Sequence, residues 1–321
     1  MRDLEEIVVF KGFTAHVSSG RIKSLTLGRP VRRTLRQYQT GFSSDDFSSL
    51  KREIEDGLRE GRDLKLRFAH EIRYGAGHFV LIRDESFSGY AILTARDGKA
   101  PRGKYQLDVA SGLGDTVNPY DTMMRETAEE FLYFLRESNS EAAKTHLVPV
   151  IRGRGKIIAL KAAVKSRKCC FNETNSVAPL PAKSVPPSNS ALLRLSDGSV
   201  LRCGVYLGSD SLEFIKALII ETGGHFSVND IILHDGECSN GRCLDRKVVL
   251  VNLQNGECTA YQHGRIVFKG KFLGFLREYG FLERYREKGR IATIKVTETL
   301  RNWDYGWGNK EFLMPLIGDF R

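Results

Sequence analysis

Short segments of β-forming residues, divided by glycine turns, fill the chain from about residue 62 and constrain its fold more than any other feature. The segments LKLRFAHEIRYG, HFVLIRD and GYAILTARDG are rich in β-branched and aromatic residues, and GKYQLDVASG continues the pattern. Runs of this kind between turn residues are typical of strands. Further strands are expected near 146–151 and 156–164, so the sequence predicts a domain built around a β-sheet.

The length of the chain, 321 residues, exceeds that of a minimal domain. We expect a core domain with additions at both ends. Residues 1–61 form the predicted N-terminal extension, with a strand-like start, a basic stretch and a helix over SSDDFSSLKREIEDGLREG. The predicted core spans 62–223, and 224–321 form a C-terminal addition of β-hairpins and a helix.

Helices and loops are predicted from caps, periodicity and turn residues. Helices are expected over 119–137, over 209–224 and near 271–288. The stretch 172–190 is dense in proline, serine and asparagine, which bury little apolar surface, so we expect a mobile loop inserted in the core. The pair Asn255-Gly256 is a strong hairpin-turn signal, and a strand is expected over RIATIKVTE.

Composition and charge restrict the class of protein. Hydrophobic residues make up 41% of the chain, which excludes wholesale disorder, and no apolar run reaches membrane-spanning length. We therefore expect a soluble, cytoplasmic protein with no membrane partner and with reduced cysteines. The formal net charge of +10 favours polyanionic partners, including nucleotides and RNA. Basic residues cluster at 29–36 and 151–168, where an ordinary solvated surface is the alternative interpretation.

The predicted helix at 119 has a clear start. Asn118 is a good N-cap, and proline suits the first helical turn. Asp121 favours the positive end of the helix dipole. One stripe of the helix is apolar and should be its buried face, consisting of Tyr120, Met124, Ala128, Phe131 and Leu135.

Three glutamates lie on another face of the same helix. Glu126, Glu129 and Glu130 have the spacing i, i+3 and i+4, so their carboxylates are close enough to repel one another. Mg²⁺ or Mn²⁺ would relieve that repulsion, because hard cations prefer carboxylate oxygens. Arg125 can orient Glu129 through an i,i+4 ion pair. The alternative is an ordinary acidic surface.

The turn SGLGD before the helix contains Gly112 and Gly114. Glycine allows backbone amides and carbonyls to approach a ligand closely. The strand, the glycine turn and RETAEE (Arg125 to Glu130) together resemble the box of the Nudix hydrolase family, over residues 112–132. Thr127 replaces the usual aliphatic residue, Leu132 stands at the closing glycine, and the position of the first glutamate falls on Val117 or Asn118. Asp115 or Asp121 can substitute for that glutamate.

The resemblance implies an α/β fold, a Nudix-like α/β/α sandwich around a mixed sheet. It also implies hydrolysis of the diphosphate linkage in a nucleoside diphosphate derivative, with Mg²⁺ or Mn²⁺ as cofactor. Carried over by position, the catalytic group consists of Arg125, Glu126, Glu129 and Glu130. Glu129 and Glu130 are the best metal ligands, Glu126 is a third ligand or the general base, and Arg125 orients the cluster. The carbonyl of Gly112 can complete the metal shell. Gly112 and Gly114 are expected to contact substrate. The alternatives are a noncatalytic nucleotide or RNA sensor, an enzyme that removes a cap-like group from the 5′ end of RNA, and a helix that serves as an interaction surface.

Two other groups of residues have metal-binding or ligand-binding chemistry. A candidate zinc site consists of Cys238, Cys243, Cys258 and His263. The four-residue gaps within its two pairs are at the upper limit for structural zinc sites. We expect instead that these residues lie in glycine-rich hairpin turns. The segment RNWDYGWGNKEF includes Trp303, Tyr305 and Trp307. Trp303 and Tyr305 can stack on a nucleobase, although such an aromatic cluster more often docks a chain end onto the core.

Overall fold

A computed structural model of the chain describes residues 13–18, 21–27, 64–85, 89–100, 104–114, 118–136, 145–153, 156–159, 176–186, 191–195, 198–207, 211–224, 226–236 and 246–288. These residues are mostly strands with few helices, and the strands pair both in parallel and antiparallel. The fold is therefore of the α+β class with mixed sheet pairing. The prediction of a domain built around a mixed β-sheet is confirmed, whereas the α/β/α sandwich stays a prediction.

Seventeen strands lie within the described ranges. In chain order they are β1 (Phe13–Ser18), β2 (Arg21–Leu27), β3 (Leu64–Arg83), β4 (Gly89–Arg96), β5 (Gln106–Asp108), β6 (Ala110–Leu113), β7 (Leu132–Leu135), β8 (Thr145–Gly153), β9 (Lys156–Ala159), β10 (Ser176–Val185), β11 (Ala191–Arg194), β12 (Val200–Leu207), β13 (Ser211–Glu221), β14 (Ile231–His234), β15 (Arg246–Asn252), β16 (Glu257–Gln262) and β17 (Arg265–Lys271).

Three α-helices and one short 3₁₀-helix accompany these strands in the described ranges. They are α1 (Pro119–Glu130), α2 (Phe272–Glu278), α3 (Phe281–Lys288) and the 3₁₀-helix Val228–Asp230. The helix predicted near 271–288 is confirmed as two short helices. Gly280 separates them with φ of 76°, a left-handed conformation that glycine adopts without strain. Among the described helices, none combines the length and the apolar character needed to cross a membrane.

The chain divides into two compact units. The first is drawn from Met1–Gly77, Ser111–Met123 and Pro186–Lys216. Within it β1 pairs antiparallel with β2 and parallel with β11, while β2 pairs with β3 and β12 pairs with β11 and β13. Tyr74 and Phe214 pack in its core with ring centroids 5.7 Å apart.

The second unit is drawn from His78–Ala110, Met124–Val185 and Ala217–Arg321. An antiparallel series runs β5–β4–β15–β16–β17, and another runs β14–β7–β8–β9. All seven residues of β15 are buried, so this strand is covered on both faces. Such strands show continuous hydrophobicity rather than alternation. The turn predicted at Asn255-Gly256 joins β15 to β16, and Gly256 has φ of 70°.

Helix α1 is shorter than the predicted span 119–137. It ends at Glu130, and the following residues form β7, which pairs with both β8 and β14. The residues Leu132, Tyr133 and Phe134 are all buried, and aromatic and apolar side chains of this kind are typical of an interior strand. Phe131 and Leu135, predicted on the apolar stripe of the helix, therefore lie outside it.

The predicted helix at 209–224 is wrong, because the residues form strand β13. Six of its side chains, from Phe214 to Ile220 apart from Lys216, are almost completely buried. A helix that covers a core on one side would expose every third or fourth residue. The continuous burial reflects pairing with β12 at the start of the strand and with β10 at its end.

The predicted mobile loop 172–190 is also wrong in its central part. Ser176–Val185 form strand β10, which pairs in parallel with β8 and antiparallel with β13. Proline is tolerated in a strand where its missing N–H would face away from the partner. Pro179 and Pro181 are two residues apart, so they affect one edge only, and pairing with β13 begins after them at Ala182.

Several predicted elements lie outside the described residues. They include the helix over 43–61, the basic stretch 29–36, most of 151–168, the strand over RIATIKVTE and the aromatic segment 301–312.

Candidate functional site

The start of helix α1 has the predicted cap. The backbone N–H of Tyr120 donates to Asn118 Oδ1 at 2.9 Å, and the N–H of Asp121 donates to the Asn118 carbonyl at 3.1 Å. Pro119 occupies the first helical position, where its lack of an N–H costs nothing. The local sequence is therefore sufficient to fix where this helix begins.

Gly114 has a packing role in the turn before the helix. Its N–H donates to the carbonyl of Tyr74 at 2.8 Å, which joins the turn to β3. A Cβ atom at this position would overlap the ring of Tyr74. The close approach of the Tyr74 ring thus requires glycine. A role of Gly112 or Gly114 in contacting substrate or metal stays a prediction.

Arg125 brings two of the three glutamates together. Its guanidinium lies 2.7 Å from Glu126 Oε1 and 3.2 Å from Glu129 Oε2. The pair with Glu129 is the predicted i,i+4 contact and is confirmed. The Glu126 side chain is 8% exposed, that of Glu129 21% and that of Arg125 36%, so the group lies at the boundary between core and solvent.

Glu130 belongs to a different and fully buried group. Its Oε1 accepts a hydrogen bond of 2.5 Å from Arg246 Nη2, and Arg246 Nε lies 2.9 Å from Asp235 Oδ2 as an ion pair. Arg246 begins β15, and Asp235 follows β14 directly. One guanidinium is therefore shared by two buried carboxylates.

The shared guanidinium does not fully compensate the two acids. Burial raises the pKa of Glu130 to about 8; the nearby Arg246 opposes this rise, while the charges of Asp235 and Asp108 add to it. Sequence reasoning did not identify Arg246 or Asp235. They are remote in sequence from the helix, so no local spacing could point to them.

Thr127, which departs from the family pattern, has a partner in the core. Its hydroxyl lies 2.9 Å from His78 Nδ1, and His78 Nε2 lies 3.0 Å from Ser184 Oγ. His78 is completely buried, so both ring nitrogens need such partners. A threonine in place of an aliphatic residue is explained by this hydrogen bond.

Leu132, at the position of the expected closing glycine, also has a structural explanation. It begins the buried strand β7 and is 5% exposed. A glycine from another part of the chain, Gly236, packs against the end of α1 instead. A Cβ atom at Gly236 would overlap the carbonyl oxygen of Glu129. Both departures from the pattern thus follow from packing around the end of α1.

The carboxylates of helix α1 are the predicted ligands of a metal ion. In the part of the chain that the structure describes, no group of three or more His, Cys, Asp or Glu residues is arranged to hold a metal ion. Mg²⁺ is commonly held by one or two carboxylates together with waters and substrate phosphates. Glu126 and Glu129 provide such a pair of hard oxygen donors, whereas a site with all three glutamates stays a prediction.

The other predicted site residues are only partly described. Cys238, Cys243, Trp303 and Tyr305 lie outside the described residues. Cys258 is a buried free thiol, and burial raises its pKa to about 12. The ring of His263 lies 6.2 Å from that of His234.

Comparison of the chain with protein-family models, with curated proteins and with solved structures gives no match in any of the three.

Proposed function

We propose that this chain hydrolyses the diphosphate linkage of a nucleoside diphosphate derivative with Mg²⁺ or Mn²⁺, as a Nudix-type pyrophosphohydrolase. The observation that supports this function is the Arg125 group, in which one partly exposed guanidinium holds Glu126 and Glu129 together. Glu126 is buried, whereas Glu129 and Arg125 are partly exposed, so a hydrated cation and a charged substrate would approach the pair from the side of Glu129. A cytoplasmic location belongs to the same proposal and is consistent with the buried free thiols Cys203 and Cys258.

The chain's own residues have separate tasks in this proposal. Glu126 and Glu129 would hold the ion, and Arg125 orients both carboxylates. When bound, the ion neutralises phosphate charge and lowers the pKa of a bound water. Glu130, held by Arg246, is a positioning residue that fixes the end of α1 against β15. This division differs from the expectation that Glu130 is, with Glu129, one of the best metal ligands.

Substitution of the carboxylate pair tests the proposal. Purified protein would be given a panel of nucleoside diphosphate derivatives with Mg²⁺ or Mn²⁺, and phosphate would be measured after phosphatase treatment. Glu126→Gln and Glu129→Gln should each reduce turnover by about a hundredfold or more, the scale of a lost acid–base or charge-stabilising group. Glu278→Gln, an exposed glutamate on α2, is the matched control and should retain full turnover. Full metal-dependent turnover by Glu129→Gln would refute the assignment.

A noncatalytic nucleotide-binding function is the second candidate. It is favoured by the Arg246 contact, because the partner of Glu130 is an arginine of the chain itself and not a metal ion. The missing glutamate at 117 or 118 supports the same interpretation. Calorimetry with a nucleoside diphosphate, run beside the phosphate-release assay, separates the two functions. Binding without hydrolysis under all metal conditions would establish the second candidate.

A further inference from the structure

A polar cleft of about 420 Å³ lies on the second unit, formed mainly by β4, β15, β16 and β17. Its volume falls in the range of small-molecule sites. The 3₁₀-helix Val228–Asp230 contributes Asn229 to its lining. No residue of helix α1 is among the residues that line it.

The strand register places the polar residues of this cleft on one face of the sheet. Tyr90 is opposite Asn252, Thr259 is opposite Lys269, and Glu257 is opposite Lys271. Residues two apart on a strand point to the same side. The side chains of Lys269 and Lys271 therefore point to the same side of the sheet, with Gly270 between them in the strand.

Hydrogen bonds orient the amide groups of the cleft. Asn255 Oδ1 accepts from the N–H of Glu257 at 2.8 Å, and Asn252 Oδ1 accepts from the N–H of Gln254 at 2.8 Å. With each amide oxygen directed at the backbone, the NH₂ ends are the donors of these amides, and the Asn252 side chain also has a hydrogen bond with the Tyr90 side chain. Lys271 Nζ donates to the Asn255 carbonyl at 3.0 Å, which holds an ammonium group at the edge of the cleft.

The charge of the cleft favours an anion. Two lysines line it against one carboxylate, that of Glu257, whose Oε1 lies 3.6 Å from Lys271 Nζ. Both members of this pair are more than 60% exposed, so the contact is weak and exchangeable. A phosphate group can replace the glutamate as the partner of Lys271, because ammonium groups and amide N–H groups both donate to phosphate oxygens.

The cleft is separate from the glutamates of α1. Arg246, the partner of Glu130, and Asn252, in the cleft, are the first and last residues of β15. Six steps along a strand correspond to about 20 Å. A ligand bound in the cleft therefore does not contact the buried Glu130–Arg246 pair, and neither residue lines the cleft.

We propose that the face formed by Asn252, Asn255, Lys269 and Lys271 is a binding site for a small phosphate-bearing molecule. Binding there needs no divalent cation, because the lysines supply the positive charge. This site is independent of the proposed hydrolytic function, and either can fail without the other.

Calorimetric titration of the full chain with inorganic pyrophosphate in EDTA and low salt tests this site. EDTA removes any contribution from a metal-dependent site. The unmodified protein should bind, and the double variant Lys269→Gln/Lys271→Gln should bind at least about tenfold more weakly, as expected for lost hydrogen bonds to charged groups. Glu257→Gln should bind more tightly, because it removes the carboxylate that competes for Lys271.

Lys183→Gln is the control for general electrostatics. Lys183 is an exposed lysine on β10 that pairs with Glu221 and does not line the cleft. It should leave pyrophosphate affinity within about twofold, since a single exposed charge outside the cleft is screened by solvent. Absence of binding to the unmodified protein would overturn the proposal, as would equal weakening in Lys183→Gln. Melting temperatures of all variants verify that each is folded.

Discussion

Arg246 donates a 2.5 Å hydrogen bond to Glu130 across 116 residues of sequence, and both side chains are buried. This contact joins the last residue of helix α1 to the first residue of β15. It also separates Glu130 from Glu126 and Glu129, which share Arg125. The three glutamates of one helix therefore have two different environments.

Removal of Arg246 should strongly destabilise the fold. Arg246→Leu removes the guanidinium shared by the buried carboxyl groups of Glu130 and Asp235, and breaking a buried pair in this way typically costs about 3–5 kcal/mol. Urea denaturation gives the change in free energy of unfolding. The exposed Lys183–Glu221 pair is the control, and Lys183→Leu should cost about 1 kcal/mol or less. A loss below 1 kcal/mol for Arg246→Leu would show that the contact is not structurally important.

Glu130 should make stability fall as the pH rises towards 8. Its pKa in the folded protein, about 8, lies above the value of 4.5 expected when unfolded. The folded state therefore binds more protons between these values, so the stability that the group contributes is lost as the pH rises through this window.

Glu130→Gln removes that titration, and its comparison with the unmodified chain isolates the effect. Urea denaturation at pH 5, 6, 7 and 8 should show the unmodified chain losing stability relative to the variant at each step. A difference that stays constant over this range would contradict the raised pKa of Glu130. Glu278→Gln, at an exposed position, should show no such trend.

His146 should make the fold sensitive to acid. Burial lowers its pKa below the ordinary 6.5, and its ring stacks on Phe134 with centroids 5.0 Å apart. The unfolded chain then takes up the proton first, so stability is lost as the pH falls below about 6.5. His146→Phe keeps an aromatic ring against Phe134 and should reduce the loss of melting temperature between pH 7 and pH 5. An unchanged pH profile would exclude His146 as a contributor.

Gly114→Ala should destabilise the first unit, because the added methyl group meets the Tyr74 ring. Overpacking of this kind costs about 1–3 kcal/mol. Gly274→Ala is the matched control, because its added Cβ atom would make only an ordinary van der Waals contact with Phe268. Gly274 lies in helix α2, where alanine is a better helix former than glycine. Chemical denaturation gives the free energy of unfolding of each variant. Gly114→Ala should lower it, whereas Gly274→Ala should leave it unchanged or raise it. Equal effects would remove the packing explanation for Gly114.

Local features of the sequence could be predicted with success. The Asn118 cap, the first-turn proline, the Arg125–Glu129 pair and the Asn255-Gly256 turn depend on residues within four positions of one another. Most strands between 64 and 113 could also be read from their residue types. These features depend on neighbouring residues, so no distant segment is needed to predict them.

Features that depend on distant segments could not be predicted. The segment 211–221 contains apolar residues in an order compatible with a helix, and pairing with β10 and β12 decides that it is a strand. The proline-rich segment 176–185 becomes a strand because β8 pairs along it. The partner of Glu130 is equally remote, since Arg246 follows it by 116 residues. Spacing alone could not separate Glu130 from Glu126 and Glu129.

The two prolines of β10 have a consequence for self-association. Their rings are exposed, and neither residue has an N–H to offer an approaching chain. Intermolecular β-sheet growth requires an unbroken row of donors along an open edge. Pro179 and Pro181 interrupt that row twice within three residues, so the middle of this strand is a poor template for aggregation.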